Sequence, residues 1–462
     1  MLFNSFIFLY AFLPVTWLVF RVLATRTKRY VWLTAASYFF YGWWNWKFCF
    51  LMAFSTLVSY SAGLGLLHFP DGPKRRLCMT VPIVIDLTLL GFFKYTNFFM
   101  QSMQTALAHF GAHSHWTNLH ILLPIGISFY TFHTISYIID GYRRTIQPTR
   151  NFWEFACYVS LFSQLVAGPI VRFRQVESDL DHISEETPSA FMDEGWSFFA
   201  IGLMKKVLIA DSLAMVIDPA LAQWTSLSGT GIWLCMLGYT YQLYFDFSGY
   251  SDMAVGLGRL FGLRLPQNFN SPYQADSPGD FWRRWHMSLS TCLRDYLYIP
   301  LGGNRGSGWF VARNLFLTML IGGLWHGANW TFVLWGAYHG ILLIAQRFSH
   351  GFWNWLPRVF RQVGTFGLVV IGWVMFRAPD VSTIFGWLKT MFGGRSGVWP
   401  VGLPVLLPAL SIAAVIAHFS PNTFELKHRW SFGSAAAITA LFGVCMFVMY
   451  GSHQSPFLYF QF

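Results

Sequence analysis

The chain has 462 residues, 55% of them hydrophobic and only 11% charged, with a mean hydropathy of +0.43. Soluble globular domains carry about a quarter charged residues, so this composition excludes a water-soluble protein and points to an all-α polytopic membrane protein. The formal net charge of +11 does not argue for nucleic acid: there is no soluble domain with a basic stripe and interleaved stacking residues, and charges beside membrane spans report orientation instead.

In chain order, the opening stretch MLFNSFIFLYAFLPVTWLVF lacks a basic n-region and a small-residue cleavage site, and reads as a first span over 3–24, not a cleaved signal peptide. Mostly apolar runs of roughly 20 residues predict further spans near 30–46, 48–68, 78–100, 119–140, 153–171, 196–218, 229–248, 314–345, 364–377, 402–419 and 433–451. The 314–345 stretch is longer than one span needs, so it is tilted, broken or partly outside. Within 153–171, Gly168-Pro169 would interrupt a helix and suggests a re-entrant segment. The segment 250–312 holds too many charges of both signs to span and reads as short amphipathic helices at the interface or dipping into the bundle. With no internal repeat and no loop long enough to fold alone, residues 1–462 read as one membrane domain: N-terminal spans over 1–150, a core over 151–345 and C-terminal spans over 346–462.

Basic residues alternate between connections. Arg21, Arg26, Lys28 and Arg29 follow the first predicted span, Lys74, Arg75 and Arg76 the third, and Arg143, Arg144 and Arg150 the fifth, while the connections between are nearly bare. The basic loops are therefore expected in the cytoplasm and both termini outside.

Ionisable groups at membrane depth are costly and so are functional candidates. His326 stands in GGLWHGANW. On a continuous helix Asn329 and Trp330 would be its i+3 and i+4 neighbours and share its face, while Gly322, Gly323 and Gly327 leave room for a backbone or a ligand. A neutral imidazole in apolar surroundings makes a good general base; the alternative is a histidine hydrogen-bonded for helix packing. His286 lies in GDFWRRWHMSLS, where Asp280 and Arg284 would pair, Arg283 would lie one turn before the histidine, and SPG supplies an N-cap. Catalysis or substrate contact is weighed there against an interfacial helix with snorkelling arginines.

Asp246, Ser248 and Asp252 could line a pocket or bind a cation, though capping and a helix break at Gly249 is the commoner explanation. Asn268 and Asn270 could touch substrate, though a turn before Ser271-Pro272 is the better account. Ser128, Tyr130, His133 and Asp140 form a polar lining or are satisfied structurally. His339, 13 residues past His326, falls on another helical face and reads as structural. His109, His113 and His115 lack an acidic or cysteine partner for a metal, and Cys49, Cys78, Cys157, Cys235, Cys292 and Cys445 have neither metal-ligand nor disulfide spacing. No phosphate-binding glycine loop, HExxH, dinucleotide fingerprint or serine elbow occurs. Any chemistry is expected to rest on histidine, with no metal and no tightly bound cofactor.

The blocks LWHGANWTFVLWGAYHG, NFNSPYQADSPGDFWRRWHMSLSTCLRDYLYIPLGGNR, YFDFSGYSDMAVGLGRLFG, LVAGPIVRF and FLYFQF together resemble the membrane-bound O-acyltransferases, in particular the bacterial branch that acetylates exopolysaccharides such as alginate. The resemblance covers nearly the whole chain. It implies a bundle of about ten or eleven spans with re-entrant helices around a central tunnel, in the bacterial inner membrane; together with the apolar runs this gives about 10–12 transmembrane helices, and the basic loops put both termini in the periplasm. The family's signature histidine matches His326, and the second matches His286. It further implies acetyl transfer from cytoplasmic acetyl-CoA towards an exported polysaccharide, through a periplasmic partner with an SGNH-type hydrolase-like domain. Within that frame Asn329 would orient His326 or donate to the oxyanion, and Trp325, Asn270 and Asp246 would contact substrate. The donor's phosphates would stay with Arg283, Arg284, Arg294 and Arg305. The alternatives are a D-alanyl transferase for teichoic acid with the same fold, and a polysaccharide export channel.

Overall fold

The computed structural model describes residues 1–111, 119, 121–451 and 457–458. The architecture is helical throughout; among the described residues the β pairing is a single isolated bridge, Leu227 with Val398. By length and apolarity, Lys47–His68, Pro73–His109, Arg358–Arg377 and Phe432–Gly451 can each cross a bilayer, and Phe8–Val22 and Leu403–Phe419 are shorter apolar helices. The chain divides into two compact units, Met1–Gly195 with Ala254–Pro266, and Trp196–Met253 with Gln267–Phe462.

In the first unit, the helices Arg26–Asn45, Lys47–His68, Pro73–His109 and Ile127–Tyr142 carry few charges inward. Asp86 is buried between three helices, accepting from the Ser55 hydroxyl at 2.7 Å and the Thr134 hydroxyl at 2.6 Å. Lone polar groups at membrane depth hold helices together in this way. Two of the basic loop residues read as orientation signals are buried and structural. Arg29 donates to the carbonyls of Leu23, Ile183 and Glu185, and Arg75 to those of Leu66, Gly141 and Tyr142. Both satisfy carbonyls at or beyond helix ends, which have no partner within the helix. The expected span over 153–171 is broken: Phe152–Ser160 is helical, Phe162–Leu165 is one short turn, and the chain then runs non-helical to Phe173. A Cβ on Gly168 would sit 2.6 Å from the Ser163 carbonyl oxygen. His133 is buried against this segment and accepts the N–H of Val171 at 3.4 Å.

In the second unit the helix Gly229–Leu260 does not break at Gly249; its last turns belong to the first unit. The absent side chains instead permit close helix packing, because a Cβ on Gly202 would lie 2.5 Å from the Gly249 carbonyl oxygen. That approach brings the π-helical turn Lys205–Ala210 beside the long helix. Lys205 pairs with Asp252 at 2.6 Å, and Lys206 with Asp246 at 2.6 Å and Asp211 at 2.9 Å. The expected single stretch over 314–345 is two helices, Gly308–His326 and Trp330–Phe348. The interfacial stretch beyond Gln267 resolves into Pro278–Arg284, Met287–Leu293 and Arg294–Tyr298, each too short to span. An additional helix, Val381–Phe392, is capped by Asp380.

Candidate active site

The site is built where the helix Gly308–His326 ends. Gly327 follows with extended backbone (φ −159°), and a Cβ there would fall 2.1 Å from the Phe332 ring. The hairpin closes because its glycines face one another: a Cβ on Gly323 would meet the Phe332 carbonyl oxygen at 2.3 Å, and one on Gly336 the Met319 carbonyl oxygen at 2.5 Å. The space left by these glycines is therefore filled by backbone. The break also cancels the expected common face of His326, Asn329 and Trp330. Asn329 is the N-cap of the next helix, accepting from the Thr331 N–H at 3.1 Å and donating to the Pro379 carbonyl at 3.0 Å, and Trp330 is 53% exposed.

The His326 ring is buried in an aromatic box. Trp325 and Trp335 stand edge-on with centroids at 5.0 Å, and Phe376 at 5.5 Å. His286 faces it at 6.4 Å, so the two candidate histidines, 40 positions apart in sequence (326 − 286), come together. Trp325 also touches His286 at 6.1 Å.

His286 is not on a helix. It sits between Pro278–Arg284 and Met287–Leu293 in the left-handed region, φ 44° and ψ 54°. For a non-glycine residue that conformation costs on the order of 1–3 kcal/mol and persists only when its surroundings enforce it. Here the enforcing element is the loop before the helix. The Asn268 carbonyl oxygen accepts the Met287 N–H at 2.9 Å, and the Asn270 N–H donates to the Arg284 carbonyl at 2.9 Å. The Asn268 side-chain oxygen meets His286 Nδ1 at 3.0 Å and the Ser288 hydroxyl at 2.9 Å. Phe247 packs edge-on against the imidazole at 4.8 Å. The ring is fully buried, and burial pushes it down from the usual histidine range, so it stands neutral at physiological pH.

The other expected site residues take supporting places. Arg284 pairs with Asp280 at 2.8 Å, as the spacing indicated, and Ser277 caps that helix through the Asp280 N–H at 3.2 Å. Arg284 also donates to the Asn270 carbonyl at 3.3 Å, and the Asn270 side chain accepts from Asn422 at 3.0 Å, so both brace the loop behind His286. Arg283 points outward, its side chain 71% exposed. Asp246 is committed to its ion pair with Lys206 and to the Leu458 N–H at 2.8 Å. His109 lies at the end of its helix, and His113 and His115 lie outside the described residues.

Sequence reasoning missed two neighbours. His339 lies on the second hairpin helix one turn after Trp335, 5.0 Å from that ring, which itself lies 5.0 Å from His326. The helical-face argument assumed one continuous helix and fails once the chain reverses. Asn268, set aside as part of a turn, is the hydrogen-bond partner of His286. The only signal available in the sequence was its place in a polar NFNS run shortly before RRWH.

The sequence matches a known family. Residues 146–383 match the membrane-bound O-acyltransferase family. The chain is 47% identical to the probable alginate O-acetylase AlgI of Pseudomonas aeruginosa, over 86% of this chain and 76% of that one. It is 41% identical to the probable alginate O-acetylase AlgI of Azotobacter vinelandii over the whole of both chains, and 40% identical to the peptidoglycan O-acetyltransferase of Helicobacter pylori over 85% of this chain and 80% of that one. The chain belongs to the membrane-bound O-acyltransferase family and is a membrane-bound acyl-transferring enzyme.

Proposed function

We propose that this enzyme takes an acetyl group from cytoplasmic acetyl-CoA and passes it across the membrane for O-acetylation of an exported polysaccharide of the alginate type, through a periplasmic SGNH-type acetyltransferase partner. The observation that carries this reading is the pair of buried imidazoles, His286 and His326, facing each other at 6.4 Å in a box of aromatic rings. A thioester is already activated, so the transfer needs proton management and oxyanion stabilisation and no metal. We assign His326 as the general base: it takes the proton of the acceptor hydroxyl as that oxygen bonds to the acetyl carbon, and returns it to the departing thiolate as the carbon–sulfur bond breaks. Trp325, held against both imidazoles, walls the reacting acyl group.

Acetyl-CoA is polyanionic and its phosphates must stay in water. Arg283, Arg294 and Arg305, all exposed, suit that contact; Arg283 and Arg294 hold surface ion pairs with Asp280 and Asp295, while Arg284 is half-buried against Asp280. The alternation of basic loops supports a cytoplasmic position for the donor and periplasmic termini. The test is ester-linked acetate on the polysaccharide secreted by a deletion strain carrying wild type or His326→Ala at equal membrane levels. Polymer made at normal yield without acetate is the expected outcome. Acetate at wild-type levels would reduce His326 to a packing residue, and loss of the polymer itself would favour export over transfer.

A further inference from the structure

The protonation pattern of His286 follows from its neighbours. The Ser288 backbone N–H reaches the Asn268 side chain at 3.3 Å and the Ser288 hydroxyl at 2.9 Å. A backbone N–H can only donate, so the Asn268 atom turned to this cluster is its oxygen and not its amide nitrogen. His286 Nδ1 lies 3.0 Å from that same oxygen, and an acceptor receives an imidazole nitrogen only as N–H. The neutral ring therefore carries its proton on Nδ1 and its lone pair on Nε2. That Nε2 atom is buried and has no hydrogen-bond partner among the described residues, while His326 stands across from the ring.

We propose that Asn268 is a positioning residue of the acyl transfer: it locks His286 in the Nδ1–H form, so that Nε2 is presented to the reacting groups as a hydrogen-bond acceptor. The proposal rests on the reading that His286 and His326 form the acyl-transfer site. Three features support a specific lock over ordinary loop packing. The backbone of His286 is held in the left-handed region. The Met287 N–H, next along the chain, is taken by the Asn268 carbonyl, so ring and backbone are fixed by one residue. Three donors converge on a single side-chain oxygen, the way outer-shell partners fix the tautomer of a functional imidazole. A consequence is that neutral His286 cannot donate to a developing oxyanion, and that duty falls to other groups. Among the described residues, the rings packed on His286 belong to Phe247, Phe269, Trp325 and His326, of which His326 is the one with an ionisable side chain.

The experiment uses membranes containing the full-length protein and its polymer machinery, with radiolabelled acetyl-CoA as the probe and ester-bound label in the polymer as the readout, from pH 4 to pH 9. Asn268→Ala removes the lock and is expected to lower kcat on the order of 10–100-fold, the effect typical of losing an outer-shell partner, with KM for acetyl-CoA little changed. Asn268→Asp keeps the acceptor and adds a charge beside Nδ1. It is expected to restore much of the rate and to move the acid limb of the pH profile up by roughly 1–3 units. The proposal is overturned if Asn268→Ala transfers at the wild-type rate, or if Asn268→Asp is active with an unmoved acid limb, or if both variants lose the same rate with an unchanged profile. Should Asn268→Ala not accumulate in the membrane, the Asn268→Asp profile decides alone. His286→Gln and His326→Ala separate the two levels of the argument. If they are inactive while Asn268→Ala is normal, the lock alone fails; if they too transfer at the wild-type rate, the site assignment fails with it.

Discussion

The hairpin that carries His326 gives a quantitative prediction, because two adjacent glycines in it meet very different surroundings. On Gly323 a methyl group would sit 2.3 Å from the Phe332 carbonyl oxygen and 3.0 Å from the Gly336 Cα, both backbone atoms. Comfortable non-bonded contact between carbon atoms begins at about 3.5 Å, so Gly323→Ala must part the two helices by roughly 1 Å. His326 lies one turn further along the same helix and would shift with it. Misplacing a reacting group by about 1 Å costs on the order of 100-fold in rate. Gly322, the preceding residue, would present its methyl group to the Leu293 Cδ1 at 3.2 Å, the movable end of a side chain. Gly322→Ala should therefore keep acyl transfer within a few-fold of wild type, while Gly323→Ala loses about two orders of magnitude without leaving the membrane. The assay is ester-bound acetate per unit of secreted polymer, normalised to membrane protein, with unfolding temperature in detergent measured alongside. If Gly323→Ala transfers at the wild-type rate with Gly322→Ala no better, the close hairpin does not position His326 and the reasoning is wrong.

Further outcomes follow from the same geometry. Lys206→Met leaves Asp246 and Asp211 without their shared cation, and stranding a buried charge costs about 3–5 kcal/mol; a clear drop in unfolding temperature or in membrane level is expected, with Lys206→Arg milder. Ser277→Ala removes the cap ahead of Asp280 and should cost about 1 kcal/mol, read as a small shift in unfolding temperature with transfer largely retained. His286 is neutral when folded and its imidazole is held below the ordinary value of about 6.5. Its contribution is therefore fully present above the unfolded value, and it is lost as the pH falls, because the unfolded chain binds a proton that the folded one refuses. The fall in unfolding temperature between pH 7 and pH 5 should be shallower in His286→Gln than in wild type; an equal fall would mean that His286 titrates normally.

Much of this enzyme was legible in the order of its residues. Lipid forbids unsatisfied backbone, so apolar runs of about 20 residues had to cross as helices, and those runs place most helices near their true positions. His326 and His286 stood out because ionisable groups at such depth are expensive, and the Asp280–Arg284 pair followed from helical spacing alone. What periodicity could not supply was where a helix stops for reasons outside itself. Gly327 ends its helix beneath a Phe332 ring, whereas the helix runs on through Gly249 and its missing side chain lets the Gly202 backbone lie close. Those two contacts moved Asn329 to a helix cap, brought His339 back to the aromatic box and turned Asp246 towards Lys206. Only the tertiary structure could pair Asn268 with His286, since that contact spans a loop whose path is set by long-range packing and whose strain at His286 no local preference would choose. Sequence determined which groups are costly enough to need a purpose; packing decided which of them meet.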